Sequence, residues 1–221
     1  MDVSVPAGQK DQKAYWNEFY GRSRVAGAIW PSQFAAFVLG EIERQGDLID
    51  IGCGTGRDSL FFASHGLNVV AVDASETAVA ICRSLQKESG AERLNVVHAS
   101  LDDADLLDQV SQHRTGGRAT IYARFFLHAI TEEQQARFLD FAEAVCCDGG
   151  TLAAEFRTIR DAAQAKVTPA HYRRFIEPMD FLEKAHAHGF TTSYYVEGFG
   201  FAKYGKDDAY VARCILSRRA G

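Results

Sequence analysis

Three glycines alternate with other residues in one short segment, DIGCGTG, which spans residues 50–56. The segment follows a strand-like apolar run, residues 47–51, and precedes a helical pattern, residues 57–65. Glycines at such a turn let a ligand approach the backbone without meeting a Cβ atom, and open α/β sheets bind ligands at this place. An acid, Asp73, ends the next apolar run about 20 residues later, where a carboxylate reaches two ribose hydroxyls. The pattern predicts a nucleoside cofactor.

The glycine spacing narrows the kind of cofactor. A dinucleotide fingerprint needs G-x-G-x-x-G, so that the helix amino terminus meets a pyrophosphate. Here the glycines stand at positions 52, 54 and 56, and Arg57 occupies the third fingerprint position. The sequence also lacks the G-x-x-x-x-G-K-[ST] pattern of a phosphate-binding loop. A dinucleotide is therefore disfavoured.

The elements around this turn alternate between strand-length apolar runs and helical patterns, which is typical of βαβ units in a parallel sheet. Two further helices precede the sheet, and the last two runs are joined by a link too short for a helical crossover, so they should pair antiparallel. Ser75 and Thr131 are predicted N-caps. The predicted strands are 47–51, 68–73, 95–98, 119–123, 151–156, 191–197 and 210–217, and the predicted helices are 12–20, 32–44, 57–65, 76–88, 132–147 and 181–188.

Composition limits the functional classes. The 221 residues carry a formal charge of −5, which argues against general affinity for nucleic acid or anionic membrane. No apolar run is long enough to span a bilayer, and the first residues lack a signal-peptide core, so we expect a cytoplasmic protein. The five cysteines form no C-x-x-C pair and should be reduced. The scattered histidines offer no ligand set, so no metal is predicted.

The sequence resembles a known family over roughly residues 46–156. The strings LIDIGCGTGRDSLFFASHG, VVAVDAS, NVVHASLDD and ATIYARFFLHAI look like those of class I S-adenosylmethionine-dependent methyltransferases, and GRDSLFFA is reminiscent of the thiopurine and tellurite branches. The resemblance implies an α/β, Rossmann-like, mostly parallel seven-stranded sheet with an antiparallel carboxyl-terminal hairpin and an amino-terminal helical cap. We expect one domain over residues 1–221, with the cap at 1–45, the core at 46–221 and a substrate-side insertion at 157–178.

The resemblance also implies a cofactor site for S-adenosylmethionine. The glycine loop would line the methionine part, Asp50 would brace the loop, and Asp73 would hold the ribose. Where the family often has an acid that contacts adenine, this chain has Ser100, which leaves Leu101 and Asp102 as candidates. Arg57 is a candidate for the cofactor carboxylate. The full predicted set is Asp50, Gly52, Cys53, Gly54, Gly56, Arg57, Asp73, Ala74, Leu101, Asp102 and Arg124.

The carboxyl end of the fourth strand faces the transferred methyl group in this fold, which brings Arg124, Phe125 and His128 to attention. Methyl transfer is an in-line displacement that depends mainly on alignment, and a base helps only if the nucleophile must lose a proton. An imidazole with an ordinary pKa near 6.5 can accept that proton. His128 is the predicted catalytic residue, with a structural histidine as the alternative.

Two segments would surround the acceptor. Residues 157–174 carry five basic side chains and one acid, for a local charge of +4. This excess predicts an anionic acceptor bound by arginine forks. The alternative is that the segment is a solvated surface. The first helix has an aromatic face that is either core packing or a lid. The predicted acceptor-binding residues are Tyr15, Trp16, Tyr20, Arg157, Tyr172, Arg173 and Arg174.

These observations predict methyl transfer to oxygen or nitrogen of a small, anionic metabolite, without nucleic acid or membrane partners. Transfer to a thiol or chalcogen, and a non-catalytic module that only binds the cofactor, are the alternatives. The sequence does not indicate an oligomeric state.

Overall fold

The computed structural model describes residues 9–22, 30–43, 46–162, 164, 172–204 and 207–219. A seven-stranded sheet is built in the order β3-β2-β1-β4-β5-β7-β6. Neighbours from β3 to β5 pair in parallel, whereas β7 runs antiparallel to both β5 and β6. The strands are β1 (Asp47–Ile51), β2 (Asn68–Asp73), β3 (Leu94–His98), β4 (Ala119–Arg124), β5 (Thr151–Arg157), β6 (Phe190–Tyr204) and β7 (Asp207–Arg218). The predicted Rossmann-like fold is confirmed.

Seven α-helices accompany the sheet in the described residues, and two short 3-10 turns follow β4 and β5, at Leu127–Ala129 and Ile159–Asp161. As predicted, Ser75 caps α4 by accepting from the Ala78 amide, and Thr131 begins α6 with a reciprocal capping box to Gln134. The helices are α1 (Gln9–Arg22), α2 (Gln33–Glu41), α3 (Arg57–Ser64), α4 (Glu76–Ser89), α5 (Leu106–Ser111), α6 (Glu132–Val145) and α7 (Pro178–Ala187).

Neighbouring residues of the strands supply two cores, one on each face of the sheet. Ile49 packs in the core that contains Phe138 of α6, while the adjacent Leu48 packs in the core that contains Phe34 of α2 and Phe62 of α3. Every residue of β1 is buried, including Asp47 and Asp50, whose carboxylates accept hydrogen bonds from Thr115 and Ser59. Because β2 and β4 flank β1, the strand order reverses at β1 and leaves a crevice at the carboxyl ends of these strands.

Three element predictions differ from the structure. The helix predicted to reach residue 44 ends at Glu41, because Ile42 is extended at φ −108° and ψ 156°; Arg44 lies outside the described residues. The helix α5 was not predicted, because its six residues are too few to show a period. The link between the last two predicted strands is itself largely strand, since a register shift between Gly198 and Ala202 lets the hairpin continue.

The amino-terminal cap reaches the sheet through different partners. The helix α1 lies against α4, and α2 packs against α3 and β6. The Asn17 side chain fixes α1 to the start of α4, because its Oδ1 accepts hydrogen bonds from Ser75 Oγ at 2.6 Å and from the Thr77 amide at 3.4 Å. Two expectations stay predictions: the boundary between cap and core at residue 45, and the assignment of the whole chain to one domain.

Candidate active site

A cleft of about 1030 Å³ opens at the carboxyl ends of β1, β2, β4 and β5, beneath α1. Its volume is at the upper end of the roughly 300–1,000 Å³ typical of ligand pockets, so it has room for more than one small ligand. It brings together most of the predicted site residues, namely Tyr15, Trp16, Tyr20, Asp50, Gly52, Cys53, Gly54, Arg57, Asp73, Ala74, Leu101, Arg124, His128, Arg157 and Arg173.

The glycine loop after β1 is tied to β2. The amides of Gly52 and Cys53 both donate to the Val72 carbonyl, at 2.8 and 3.1 Å. A Cβ atom at Gly54 would lie 2.6 Å from the Tyr20 hydroxyl, and Gly54 has a φ of +55°. The loop therefore needs glycine at this position both for its backbone conformation and for the close approach of α1.

Gly56 has a different role from the predicted one. It does not line the cleft but begins α3 in the left-handed conformation, at φ 81°. A Cβ atom there would lie 2.3 Å from Cys82 Sγ. The missing side chain therefore lets α3 and α4 pack closely, and the predicted cofactor contact of Gly56 stays a prediction.

Asp50 lies in β1 just before the glycine loop, and its role in bracing that loop stays a prediction. Its side chain is buried and accepts a hydrogen bond from Ser59 Oγ at 2.5 Å. Burial raises the pKa of Asp50 to about 7, and the nearby carboxylates of Asp58 and Asp73 act in the same direction. A group that changes charge near neutral pH thus lies under the loop.

Asp73 ends β2 with both carboxylate oxygens directed at the backbone. Oδ2 accepts from the Gly54 amide and Oδ1 from the Ser75 amide, each at 2.8 Å. Burial raises the pKa of Asp73, although these two hydrogen bonds oppose the effect. Because a carboxylate oxygen has more than one acceptor direction, each oxygen keeps capacity for a further donor, and a ribose diol fits that capacity.

The rim beyond Asp73 contains Ala74 and Leu101 but not Asp102. The Asp102 carboxylate accepts from Gln134 Nε2 at 2.9 Å and is paired with Arg137, so α6 holds it away from the cleft. Asp103 lines the cleft instead. Of the two predicted candidates for the adenine contact, Leu101 is therefore the one that lines the cleft, and the sequence could not show that α6 would present two partners to Asp102.

Asp58, Tyr122 and Ser32 form a buried hydrogen-bonding group that the sequence reasoning missed. The Asp58 carboxylate accepts from the Ser32 amide, from Ser32 Oγ and from the Tyr122 hydroxyl, at 2.8, 2.7 and 2.8 Å. Burial raises the pKa of Asp58, but the guanidiniums of Arg57 and Arg124 outweigh it and the pKa is lowered. Two of the predicted cofactor arginines thus stand beside an ionised carboxylate.

A second buried charge group continues along the sheet. Glu155 of β5 is fully buried and pairs with Arg124 at 2.8 Å and with Arg213 of β7 at 2.6 Å. A single acid inside the apolar run TLAAEF was the sequence signal for it. The group fixes the Arg124 guanidinium at the floor of the cleft.

Phe125 follows directly and is the single non-glycine residue with a positive φ, 55°, among the described residues. Its ring lies 4.4 Å from the Arg124 guanidinium carbon and 5.6 Å from that of Arg157. The His128 ring meets it edge to face, with the ring centroids 5.3 Å apart. A strained backbone supported in this way is typical of functional sites.

His128 lies in the 3-10 turn after β4 and is 5% exposed. Its carbonyl accepts from the Arg174 amide at 2.8 Å, and its Nδ1 accepts from the Arg157 amide at 3.4 Å. The ring is therefore held between β5 and the segment that contains Arg174, at the predicted position beside the cleft.

The basic segment after β5 is less positive than its sequence indicates. Arg157 is paired with Asp161 at 2.7 Å and with Asp207 at 2.6 Å. Arg160 is paired with Glu197 at 2.6 Å. Asp207 comes from β7, far along the chain, so the count of +4 could not include it; Lys166 lies outside the described residues.

Two predicted acceptor residues, Tyr172 and Arg174, do not line the cleft. Arg174 instead donates to the Leu127 carbonyl and to Gln135 Oε1 of α6, which fixes the turn that contains His128. Arg173 does line the cleft. Burial lowers the pKa of Arg173, and the neighbouring guanidinium of Arg157 lowers it further.

The aromatic face of α1 covers the cleft. Its rings contact one another, for example Tyr15 and Trp16 with centroids 5.1 Å apart, and Trp16 and Tyr20 with centroids 5.8 Å apart. Burial raises the pKa of Tyr20, and the carboxylate of Asp73 adds to the effect. These contacts favour the interpretation of the face as a lid, with packing among the rings as well.

The described residues hold neither a candidate membrane span nor a candidate metal site. None of the helices there combines the length and apolar character needed to cross a membrane. In the same residues, no three His, Cys, Asp or Glu side chains lie together in a way that could hold a metal ion.

Comparisons with known proteins agree with this geometry. Residues 48–150 match a family model described as a methyltransferase domain. No curated protein sequence matches the chain. A methyltransferase from Anabaena variabilis has a TM-score of 0.75 and 18% identity, covering 99% of this chain and 100% of its own. A 1,6-didemethyltoxoflavin-N1-methyltransferase from Burkholderia thailandensis, crystallised with S-adenosylhomocysteine, has a TM-score of 0.67 and 18% identity, covering 99% of this chain and 93% of its own.

Magnesium protoporphyrin IX methyltransferase from Synechocystis, also solved with S-adenosylhomocysteine, has a TM-score of 0.63 and 17% identity, covering 99% of this chain and 90% of its own. A TehB-like methyltransferase from Corynebacterium glutamicum has a TM-score of 0.63 and 14% identity, covering 95% of this chain and 99% of its own. Residues 48–150 thus match a methyltransferase domain, and the whole chain shares the fold of these solved structures.

Proposed function

We propose that the enzyme transfers the methyl group of S-adenosylmethionine to an oxygen or nitrogen atom of a small acceptor that carries an anionic group. The observation that carries the proposal is Arg173, which lines the cleft beside Arg157. Burial lowers the pKa of Arg173, and the Arg157 guanidinium lowers it further, while Asp161 and Asp207 oppose them; an anion bound beside Arg173 would favour its charged form. The arginine fork suits a carboxylate or phosphate.

The cofactor fits the other half of the cleft. Asp73 would accept from the ribose hydroxyls, the main chain at Gly52 and Gly54 would follow the methionine part, and Ala74 and Leu101 would border the adenine. Bound there, S-adenosylmethionine supplies an electrophilic methyl group. The chain's own contribution is to align the two reactants and to exclude water with α1, because orientation can remove much of such a barrier.

The size of the cleft supports a small acceptor. Its volume of about 1030 Å³ leaves space beyond a nucleoside cofactor, yet α1 covers the opening, which does not suit a macromolecule. Two of the structural neighbours, the didemethyltoxoflavin and magnesium protoporphyrin methyltransferases, act on small molecules by their names. A cytoplasmic location is part of the same proposal.

Incubation with methyl-labelled cofactor and a panel of anionic metabolites tests the proposal, and label should appear in at least one acceptor. Arg173→Met should then raise the KM for that acceptor by about tenfold or more, because a charged hydrogen bond is lost. The control Arg160→Met removes an arginine that is paired with Glu197 outside the cleft and should leave KM unchanged. Tight cofactor binding without label transfer across the panel would contradict the proposal and favour a non-catalytic module.

A further inference from the structure

The ring of Tyr20, near the end of α1, lies directly on the glycine loop. A Cβ atom at Gly54 would lie 2.6 Å from the Tyr20 hydroxyl oxygen and 3.1 Å from Cζ, the ring carbon that carries it. The same ring stacks on Trp16, with the centroids 5.8 Å apart and the planes 28° apart. The tip of the Tyr20 side chain therefore reaches the stretch of main chain that the methionine part of the cofactor would follow.

The surroundings keep the Tyr20 hydroxyl protonated. Burial raises its pKa well above the ordinary value, and the carboxylate of Asp73 acts in the same direction. The Arg57 guanidinium opposes this rise but does not outweigh it. Within the part of the chain that the structure describes, no hydrogen bond to this hydroxyl is found. Because a protonated phenol donates one hydrogen bond, Tyr20 presents a donor to a ligand in the cleft.

Arg57 supplies further donors on the same side of the cleft. Its Nε donates to Asp58 Oδ1 at 3.2 Å, and the planar guanidinium has additional N–H donors on its two terminal nitrogens. The charge of Arg57 acts on the Tyr20 hydroxyl, and both side chains line the cleft. A carboxylate suits two such donors, whereas an ammonium group can only donate and would need acceptors.

We infer that the Tyr20 hydroxyl, together with Arg57, binds the carboxylate of the cofactor's methionine part when α1 covers the cleft. The inference rests on the proposed function and deepens it, because it names a cofactor contact that α1 supplies. It assigns Tyr20 to the cofactor and not to the acceptor, for which the sequence predicted it. The carboxylates of Asp50 and Asp73 line the same side of the cleft and would repel the cofactor carboxylate, so donors of this kind are needed there.

This contact would make the closure of α1 depend on the ligand. Asn17 ties α1 to the start of α4 through Ser75 and Thr77 without any ligand. Tyr20, one turn further along the helix, adds a second attachment only when a ligand with a carboxylate is bound. The helix should therefore cover a complete cofactor more firmly than it covers the adenosine part alone.

Removal of one oxygen atom tests the contact. Tyr20→Phe keeps the ring and its stacking on Trp16 but loses the donor. Calorimetric titration with S-adenosylhomocysteine should show an affinity about tenfold or more below that of wild type, because a hydrogen bond to a charged group is lost. Tyr194→Phe is the matched control: Tyr194 packs against Phe37, with the ring centroids 4.8 Å apart, and this variant should bind as wild type does.

A ligand without the carboxylate separates this contact from a general effect on α1. The decarboxylated analogue of S-adenosylhomocysteine keeps the adenosine, the sulfur and the ammonium group, and competition against S-adenosylhomocysteine measures its affinity. Wild type and Tyr20→Phe should bind this analogue equally. An equal loss for both ligands in Tyr20→Phe, or no loss for either, would overturn the inference alone. Absence of S-adenosylhomocysteine binding to wild type would overturn the proposed function as well.

Discussion

Asp50 is a buried carboxyl group whose pKa of about 7 lies well above its value in the unfolded chain. Between about pH 4 and pH 7 the folded protein therefore keeps a proton that the unfolded chain has lost, so the free energy of unfolding falls as the pH rises through this range. Asp50→Asn removes the titration and keeps an acceptor for Ser59. At each pH, the quantity of interest is the free energy of unfolding of Asp50→Asn minus that of wild type. At about 1.4 kcal/mol per pKa unit, this difference should be about 2–3 kcal/mol larger at pH 8 than at pH 5.

Urea unfolding at the two pH values measures the effect. Asp148→Asn is the control, because Asp148 is exposed and the substitution should give the same small difference at both. A stability difference for Asp50→Asn that does not change with pH would show that Asp50 is not the titrating group.

Gly56 and Gly90 form a natural pair for testing the packing of α3 against α4. Both have positive φ, 81° and 65°, but a Cβ atom at Gly56 would meet Cys82 Sγ at 2.3 Å, whereas one at Gly90 has nothing within 4 Å. Gly90→Ala should cost about 1–2 kcal/mol for the left-handed conformation alone. Gly56→Ala should cost a further 1–3 kcal/mol or so for overpacking.

Denaturant unfolding of the two variants and of Gly56→Ala/Cys82→Ala gives the comparison. The double variant should recover most of the overpacking part, because it removes the sulfur atom. Equal losses in the two single variants would mean that the contact with Cys82 does not restrict position 56.

At the scale of elements, the Asn17 side chain ties the helix α1 to the start of α4. Asn17 accepts from Ser75 and Thr77 at the start of α4, directly after Asp73. Asn17→Ala removes both hydrogen bonds, so the lid should open more often and the dissociation rate of S-adenosylhomocysteine should rise about 3–10-fold. Stopped-flow fluorescence of the α1 tryptophan, Trp16, follows the release.

Gly21→Ala is the control for this prediction. It lies on the same helix with open space around its Cα, so it should not change the dissociation rate. If Asn17→Ala and wild type release the ligand at the same rate, α1 does not limit exit from the cleft.

The sequence predicted elements well where hydrophobic period and end signals coincide. Ser75 and Thr131 start their helices as expected, and the parallel core strands lie within a residue or two of the predicted bounds. The sequence predicted the hairpin but not the full length of its strands, because the register shift near Gly198 comes from pairing with β7. The helix at Leu106–Ser111 is too short to leave a periodic pattern.

For the site, the sequence predicted the contacts made within one βα unit and missed the contacts made by elements that are distant in the chain. The glycine loop and Asp73 meet as expected, since one βα unit places both. Asp102 and Arg174 were expected at ligands, but α6 contributes Gln134, Arg137 and Gln135 as their partners. Asp207 reaches Arg157 from β7, and no spacing in the sequence indicates that approach.

At the scale of the whole molecule, charges of both signs line the cleft. Asp50, Asp58 and Asp73 share the glycine-loop side with Arg57 and Arg124, and Arg157 and Arg173 share the other side with Asp207. Because Asp207 pairs with Arg157, the proposal of an anionic acceptor depends on Arg173. The net charge of −5 does not describe this local arrangement.

Calorimetric titration with S-adenosylhomocysteine tests the cofactor site most directly. Wild type and Asp148→Ala should bind one equivalent per chain with equal affinity. Asp73→Ala should bind roughly 1.5–3 kcal/mol more weakly, because charged hydrogen bonds to the ribose are lost. Unchanged affinity in Asp73→Ala, or no binding to wild type at saturating ligand, would contradict the account.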